Sequence, residues 1–202
     1  NRQLIKMTYL QDKYTKEVVP MLVKELGTKN ANHVPKLTKV TVNVGIGSLV
    51  TGGTKDFSYV ETSLAEITGQ KPVLRKARKA ISNFKLRIGL PVGLHSTLRG
   101  NQMYDFIARL VNIALPRVRD FRGISSRGFD GQGNFNLGIE DCTIFPEVSQ
   151  DKLVKSHGLQ VSVCTTAKDN QGAYLLLKAL GFPFRDEPKP QLRGAKRSAH
   201  KK

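Results

Sequence analysis

The sequence predicts a single α+β domain: one antiparallel or mixed β-sheet, helices packed on one of its faces, and long basic loops at its margins. Three observations carry this. Short runs such as LTKVTVNVG alternate apolar and polar residues, as half-buried strands do. Other stretches repeat apolar residues every three or four positions, as helices do. Between them lie aperiodic segments rich in Gly and Arg. The chain has 202 residues, 39% of them hydrophobic, which suits one domain with a real core. That domain is expected over residues 1–185. Residues 186–202, DEPKPQLRGAKRSAHKK, hold two prolines and almost no apolar side chain, so a basic disordered tail is expected there.

Each element has its own signal. Thr8 and Gln11 have the spacing of a capping box, and Leu10, Tyr14, Val18 and Leu22 follow on one helical face. Pro20 interrupts that face, so either the helix kinks or a second one starts with Pro20 in its first turn; Gly27 ends it. In LTKVTVNVG, Val40, Val42 and Val44 point one way and Lys39, Thr41 and Asn43 the other. Phe57, Val60, Leu64 and Ile67 mark a helix closed by Gly69. Alternation returns with Phe84, Leu86 and Ile88 against Lys85 and Arg87, and GLP turns the chain. It resumes with Val92, Leu94, Ser96 and Leu98 against Gly93, His95, Thr97 and Arg99, which reads as a hairpin. Asn101 caps a helix with Tyr104, Ile107, Val111 and Leu115, or Leu110 and Ala114, on its buried side; Pro116 stops it. RVRDFRGISSRGFDGQGNFNLG has no periodicity over 22 residues, and loops that long are usually functional or disordered. GLQVSVCTTA is a strand with Leu159, Val161 and Val163 inward, leaving Cys164 outward, and Asp169 to Gly181 form the last helix.

The charge points to a partner. The formal net charge is +17, and it is concentrated. Residues 71–127 carry 13 cations and 2 anions, whereas residues 128–185 carry 5 and 6. No acid lies between Glu66 and Asp105. Such a block repels itself unless a polyanion is near. A solvated basic face would explain one cluster, but not a block of this length together with a basic tail. An anionic membrane and charge kept for solubility fit less well than nucleic acid. No window approaches ~18 uninterrupted apolar residues, which argues against a helical membrane span. Cys142 and Cys164 form no CxxC; their spacing leaves a disulfide open, but two thiols in a basic chain read better as reduced and cytosolic.

Motifs for catalysis are weak. GIGSLVTGG opens like a dinucleotide fingerprint, but Val50 stands where the third Gly is required. GFDGQGNFNLG has the glycines of a phosphate loop without its Lys and hydroxyl. His33, His95, His157 and His200 are scattered and suggest no zinc site. His95 could touch RNA or be an ordinary surface or core histidine. Glu140, Asp141 and Glu147 could hold Mg²⁺ for a nuclease, yet they lie in the only net-acidic region, where a basic protein partner is the better match. No catalytic residue, metal or cofactor is expected. Phe84, Phe121, Phe129 and Phe135 sit among cations, where each could stack on a base or anchor its loop to the core.

Five motifs in order, ITGQKPVLRKARKAISNFKLRIGLPVG, TLRG, ALPRVRDFRGISSRGFDGQGNFNLGI, IFPE and LLLKALGFPFR, resemble the bacterial-type large-subunit ribosomal protein five, the family that holds 5S rRNA. The likeness spans about Tyr9 to Arg185. It implies a non-enzymatic constituent of the large ribosomal subunit, lodged in the central protuberance and active in translation. It implies 5S rRNA, 23S rRNA, P-site tRNA and a protein of the small-subunit head as partners. The compartment would be the bacterial cytosol or an organelle of bacterial origin. Position by position, the 5S rRNA grip falls on Asn43, Gln70, Lys71, Thr97 and Arg99. The loop that approaches tRNA falls on Arg75, Lys76, Arg78, Lys79, Lys85 and Arg87. The part turned toward the small subunit falls on Arg117, Arg119, Arg122 and Arg127, within a region reaching Glu147. The family ends near GFPFR, so the tail beyond it is a departure.

Overall fold

A computed structural model describes residues 9–27, 30–52, 56–148 and 155–188. Thr8, half of the expected capping box, and tail residues 189–202 lie outside these. Five strands form one sheet in the order β2-β3-β1-β5-β4, where β1 is Leu37–Gly45, β2 Val73–Lys76, β3 Pro91–Leu98, β4 Phe135–Ile139 and β5 Leu159–Thr165. Every pairing is antiparallel. The helices are α1 Tyr9–Lys13, α2 Val19–Glu25, α3 Gly47–Thr51, α4 Ser58–Thr68, α5 Gly100–Arg109 and α6 Asn170–Ala179.

The core is built from one face of the sheet. Val40, Val42 and Val44 of β1, Leu94 and Leu98 of β3, and Leu159, Val161 and Val163 of β5 are all buried. They meet Leu22, Leu64, Ile67, Phe106, Ile107 and Leu177 from the helices. Each such side chain contributes ~1.5–3 kcal/mol on leaving water.

Both readings of Pro20 merge in the structure. A wide π turn, Tyr14–Val18, joins α1 to α2, with the Val19 N–H donating to the Tyr14 carbonyl. Pro20 has no N–H to give, and the widened turn before it lets the helix continue. Leu10, Val18 and Leu22 stay buried, and the Tyr14 hydroxyl donates to the Pro35 carbonyl at 3.0 Å. α5 likewise runs into a π turn, Leu110–Ala114, and a short 3₁₀ turn, Leu115–Arg117, carries it one residue past Pro116.

Three expectations fail. Asn101 does not cap α5: Arg99 stands at the cap position and Asn101 lies within the first turn. Residues 84–88 are not a strand. Ser82–Phe84 is a 3₁₀ turn followed by Lys85 at φ +52°, and the hairpin partner of β3 is β2. The alternation there has no core to face: Phe84 and Ile88 are exposed. Lys85 and Arg87 therefore leave the sheet face and join a long tongue over residues 77–90. Nor is the segment 117–138 without regular structure, because β4 begins at Phe135.

That segment is tied down. Asp130 accepts from the Gln132 N–H at 2.8 Å and the Asn134 N–H at 3.0 Å, and buried Asn170 accepts from Gly131 and Gly133. These amides turn inward, so the glycines serve the fold instead of cradling a phosphate. Gly133 has φ +81°, and a Cβ there would lie 2.5 Å from the Ala167 carbonyl oxygen. The GFPFR segment seals the other side: Ile124 N–H donates to Pro183 at 2.8 Å and Arg185 N–H to Ile124 at 2.9 Å. Phe129, Phe135, Tyr174, Phe182 and Phe184 form one aromatic cluster, the closest ring centroids 4.8 Å apart.

Candidate nucleic-acid interface

The other face of the sheet keeps its side chains partly or fully exposed. The register sets them in rows. Val73, His95, Asn43, Gln160 and Gly138 form one row across all five strands. Thr97, Thr41, Ser162 and Asn136 form the next, and Lys39 pairs with Cys164 beyond it. Neighbouring strands lie ~4.8 Å apart, so the polar side chains of each row stand side by side. The first row carries an imidazole and two amides side by side; the second carries hydroxyls and an amide. Ser162 donates to Asn136 at 2.6 Å, and the Thr97 hydroxyl shares a hydrogen bond with His95 Nε2 at 3.2 Å.

Cations frame this surface on the β2 side. Arg75 pairs with Gly93, and Arg99 follows β3 in extended backbone, on the same alternation as Thr97. Burial first, then the charges of Arg75 and Lys39, hold the His95 imidazole below its ordinary value, so those two cations converge on the face. Its Nδ1 is buried without a partner among the described residues. Gln70 and Lys71 stand where α4 delivers the chain into β2. Gly69 closes α4 in the left-handed conformation at φ +70°, its N–H donating to Ala65 at 2.8 Å. Thr68 Oγ1 then donates to the Gln70 carbonyl at 3.0 Å, fixing the backbone of that exposed glutamine.

The expected site residues thus divide into three groups. Asn43, Thr97, Arg99 and Arg75 come together on the open face, with Gln70 and Lys71 at its edge. Lys76, opposite Pro91, leads into the tongue that holds Arg78, Lys79, Lys85 and Arg87, all exposed. Arg117, Arg119, Arg122 and Arg127 are exposed on the segment that enters β4, the opposite edge of the sheet. Sequence reasoning misses Gln160, Ser162 and Asn136 as members of the face. The alternation that sets Cys164 outward in GLQVSVCTTA already places Gln160 and Ser162 beside it; Asn136 carries no signal because β4 itself has none.

Two of the three acids, Glu147 and Asp141, have structural employment. Glu147 accepts from Arg109 Nη1 at 2.6 Å, tying the IFPE segment to α5. Asp141 accepts from the Thr143 N–H at 3.0 Å and from the Ser156 hydroxyl at 2.5 Å. Among the described residues no three His, Cys, Asp or Glu side chains gather as a metal site. Cys142 and Cys164 are both free thiols, Cys142 buried with its Sγ 3.6 Å from His157 Nδ1.

Comparison with known proteins identifies the family. The family described as Ribosomal protein L5 matches residues 30–87, and the family described as the C-terminus of that same ribosomal protein matches residues 91–184. The chain is similar to the large ribosomal subunit protein uL5 of Chloroflexus aurantiacus, 50% identical over 177 residues, covering 88% of this chain and 98% of that one. The uL5 of Mesoplasma florum is 50% identical over 176 residues, covering 87% and 97%. That of Thermotoga maritima is 47% identical over 179 residues, covering 87% and 95%. With both halves of the domain matched and about half of its residues identical to bacterial relatives, the chain belongs to the uL5 family of large-subunit ribosomal proteins, structural constituents of the ribosome and not enzymes.

Proposed function

We propose that the open sheet face grips 5S rRNA in the central protuberance. The observation that carries this is the juxtaposition of an ordered donor-acceptor face with a cationic rim that has no acid from residue 67 to residue 104. Lys39, Lys71, Arg75 and Arg99 supply affinity through phosphate contacts and counterion release. Asn43, Gln70 and Thr97 have defined donors and acceptors and read base edges or 2′-hydroxyls. The tongue over residues 77–90 approaches the P-site tRNA, and the segment from Arg117 to Glu147 approaches 23S rRNA and a protein of the small-subunit head. The basic tail adds a further RNA contact. The compartment is the one in which bacterial ribosomes work, the cytoplasm.

The test is binding to 5S rRNA, to a shuffled RNA of equal length and to duplex DNA across a salt series. Hydrogen-bond readout survives screening, so 5S rRNA binds at least ~10-fold tighter at high salt. Asn43→Ala and Gln70→Ala each weaken 5S binding by ~1–3 kcal/mol with the salt slope unchanged. Equal affinity for all three nucleic acids refutes specific recognition.

A further inference from the structure

We propose that Phe84 is a base-stacking group: the tip of the tongue lays this ring on an exposed base or base-pair face of the P-site tRNA. The inference rests on the tRNA assignment made above. Of the four phenylalanines set among cations, Phe121, Phe129 and Phe135 pack on the core, whereas Phe84 is 66% exposed. Ile88 beside it is 72% exposed and Ile81 43%.

The tip is built to hold that ring out. Ile81 and Leu86 exchange both backbone hydrogen bonds at 3.0 Å, and the Lys85 N–H donates to Ser82 at 2.9 Å across the left-handed turn. Further down, Ala77 N–H donates to Leu90 at 2.8 Å and Gly89 N–H to Ala77 at 3.0 Å. A preformed turn presents Phe84 with part of its ordering entropy already spent. The same tongue carries Arg78, Lys79, Lys85 and Arg87, and Arg75 and Lys76 stand at its base in β2, none of them ion-paired among the described residues.

The occupant must therefore be a polyanion that also offers a flat apolar face. An acidic peptide or a phosphate surface satisfies the cations and leaves the ring in water. RNA with an unstacked base or an exposed terminal pair satisfies both. Stacking is indifferent to base identity because every base has a π-face, so it suits a contact that must accept every tRNA.

The chain contains no Trp, so Phe84→Trp with 5-hydroxytryptophan places one selectively excitable reporter at the tip. In large subunits rebuilt with this variant, its emission is quenched when tRNA fills the P site. Phe84→Ala shortens tRNA retention by ~5- to 100-fold, a loss that persists as salt is raised, while Phe84→Trp retains tRNA as the native chain does. Unquenched emission, or native retention in Phe84→Ala, overturns the proposal. Quenching by rRNA before tRNA is added overturns tRNA as the source of the stacked base. The paired control is Arg78→Ala with Lys79→Ala. If it loosens tRNA and Phe84→Ala does not, stacking fails and the tRNA reading stands. If neither loosens it, both fail.

Discussion

The tongue over residues 77–90 and the segment over residues 117–134 are alike in composition, since both are rich in cations and punctuated by phenylalanine and glycine. They differ in where the rings go. The longer segment buries Phe129, and Phe135 just beyond it, against Phe182 and Phe184 of GFPFR. The tongue leaves Phe84 in solvent and is held by its own backbone hydrogen bonds. A ring in a basic loop is thus either a structural anchor or a contact offered to a partner. What decides is whether another part of the chain returns to cover it.

The most direct challenge to this contrast is to truncate one ring on each side. Phe135→Ala opens a cavity at a fully buried position and costs ~3–5 kcal/mol in denaturant unfolding. Phe84→Ala stays within ~0.5 kcal/mol of the native stability. Equal losses would show that the tongue, too, is part of the core. Next in size is a pair of glycines. Gly133 at φ +81° and Gly89 at φ +88° both resist a side chain, and strain of this kind costs ~1–3 kcal/mol. Only Gly133 adds a clash with the Ala167 backbone, whereas nothing lies within 4 Å of a Cβ at Gly89. Gly133→Ala therefore lowers the melting temperature more than Gly89→Ala does.

A smaller effect separates the two loops electrostatically. Neutralising Arg78 and Lys79 to Gln lowers the salt slope of tRNA binding by ~2, about one per cation removed. The same change at Arg117 and Arg119 leaves that slope as it was, as measured by tRNA retention across a salt series. The smallest effect is pH dependence near neutrality. Burial pushes the His157 imidazole, held between Ser63 and Cys142, below its ordinary 6.5. The unfolded chain then takes up the proton at higher pH than the folded one does. Stability from this residue is complete above pH 6.5 and declines as pH falls toward the lowered folded value. His157→Gln flattens that part of the stability profile, while the tongue, which has no histidine, contributes nothing to it.

Particular residues show why some of this is legible in advance. β1 and β5 each face the core with three aliphatic side chains in strict alternation, so their inward and outward faces can be assigned residue by residue. Asn43 falls on the open face for that reason, and Thr97 does so by the alternation of β3, where Leu94, Ser96 and Leu98 are buried. β2 cannot be read, because VLRK is an edge strand whose four residues are all exposed, and period-2 patterning arises only from a buried face. The nearby FKLRI mimics that pattern without a core beneath it. β4 is hidden by Gly138 and by asparagines that give no strand signal.

The chain alone determined its helix faces, its three interior strands, the confinement of positive charge to one stretch and, through five motifs in order, its family. Those properties are local or additive and need no knowledge of what lies opposite. Only the tertiary structure decided which strand completes the hairpin, which phenylalanine stays in water and which polar side chains line up across the sheet. Each of these depends on contacts between residues far apart in the chain, such as Asn43 with Gln160 and Ile124 with Phe184, and register and burial exist only once those contacts form.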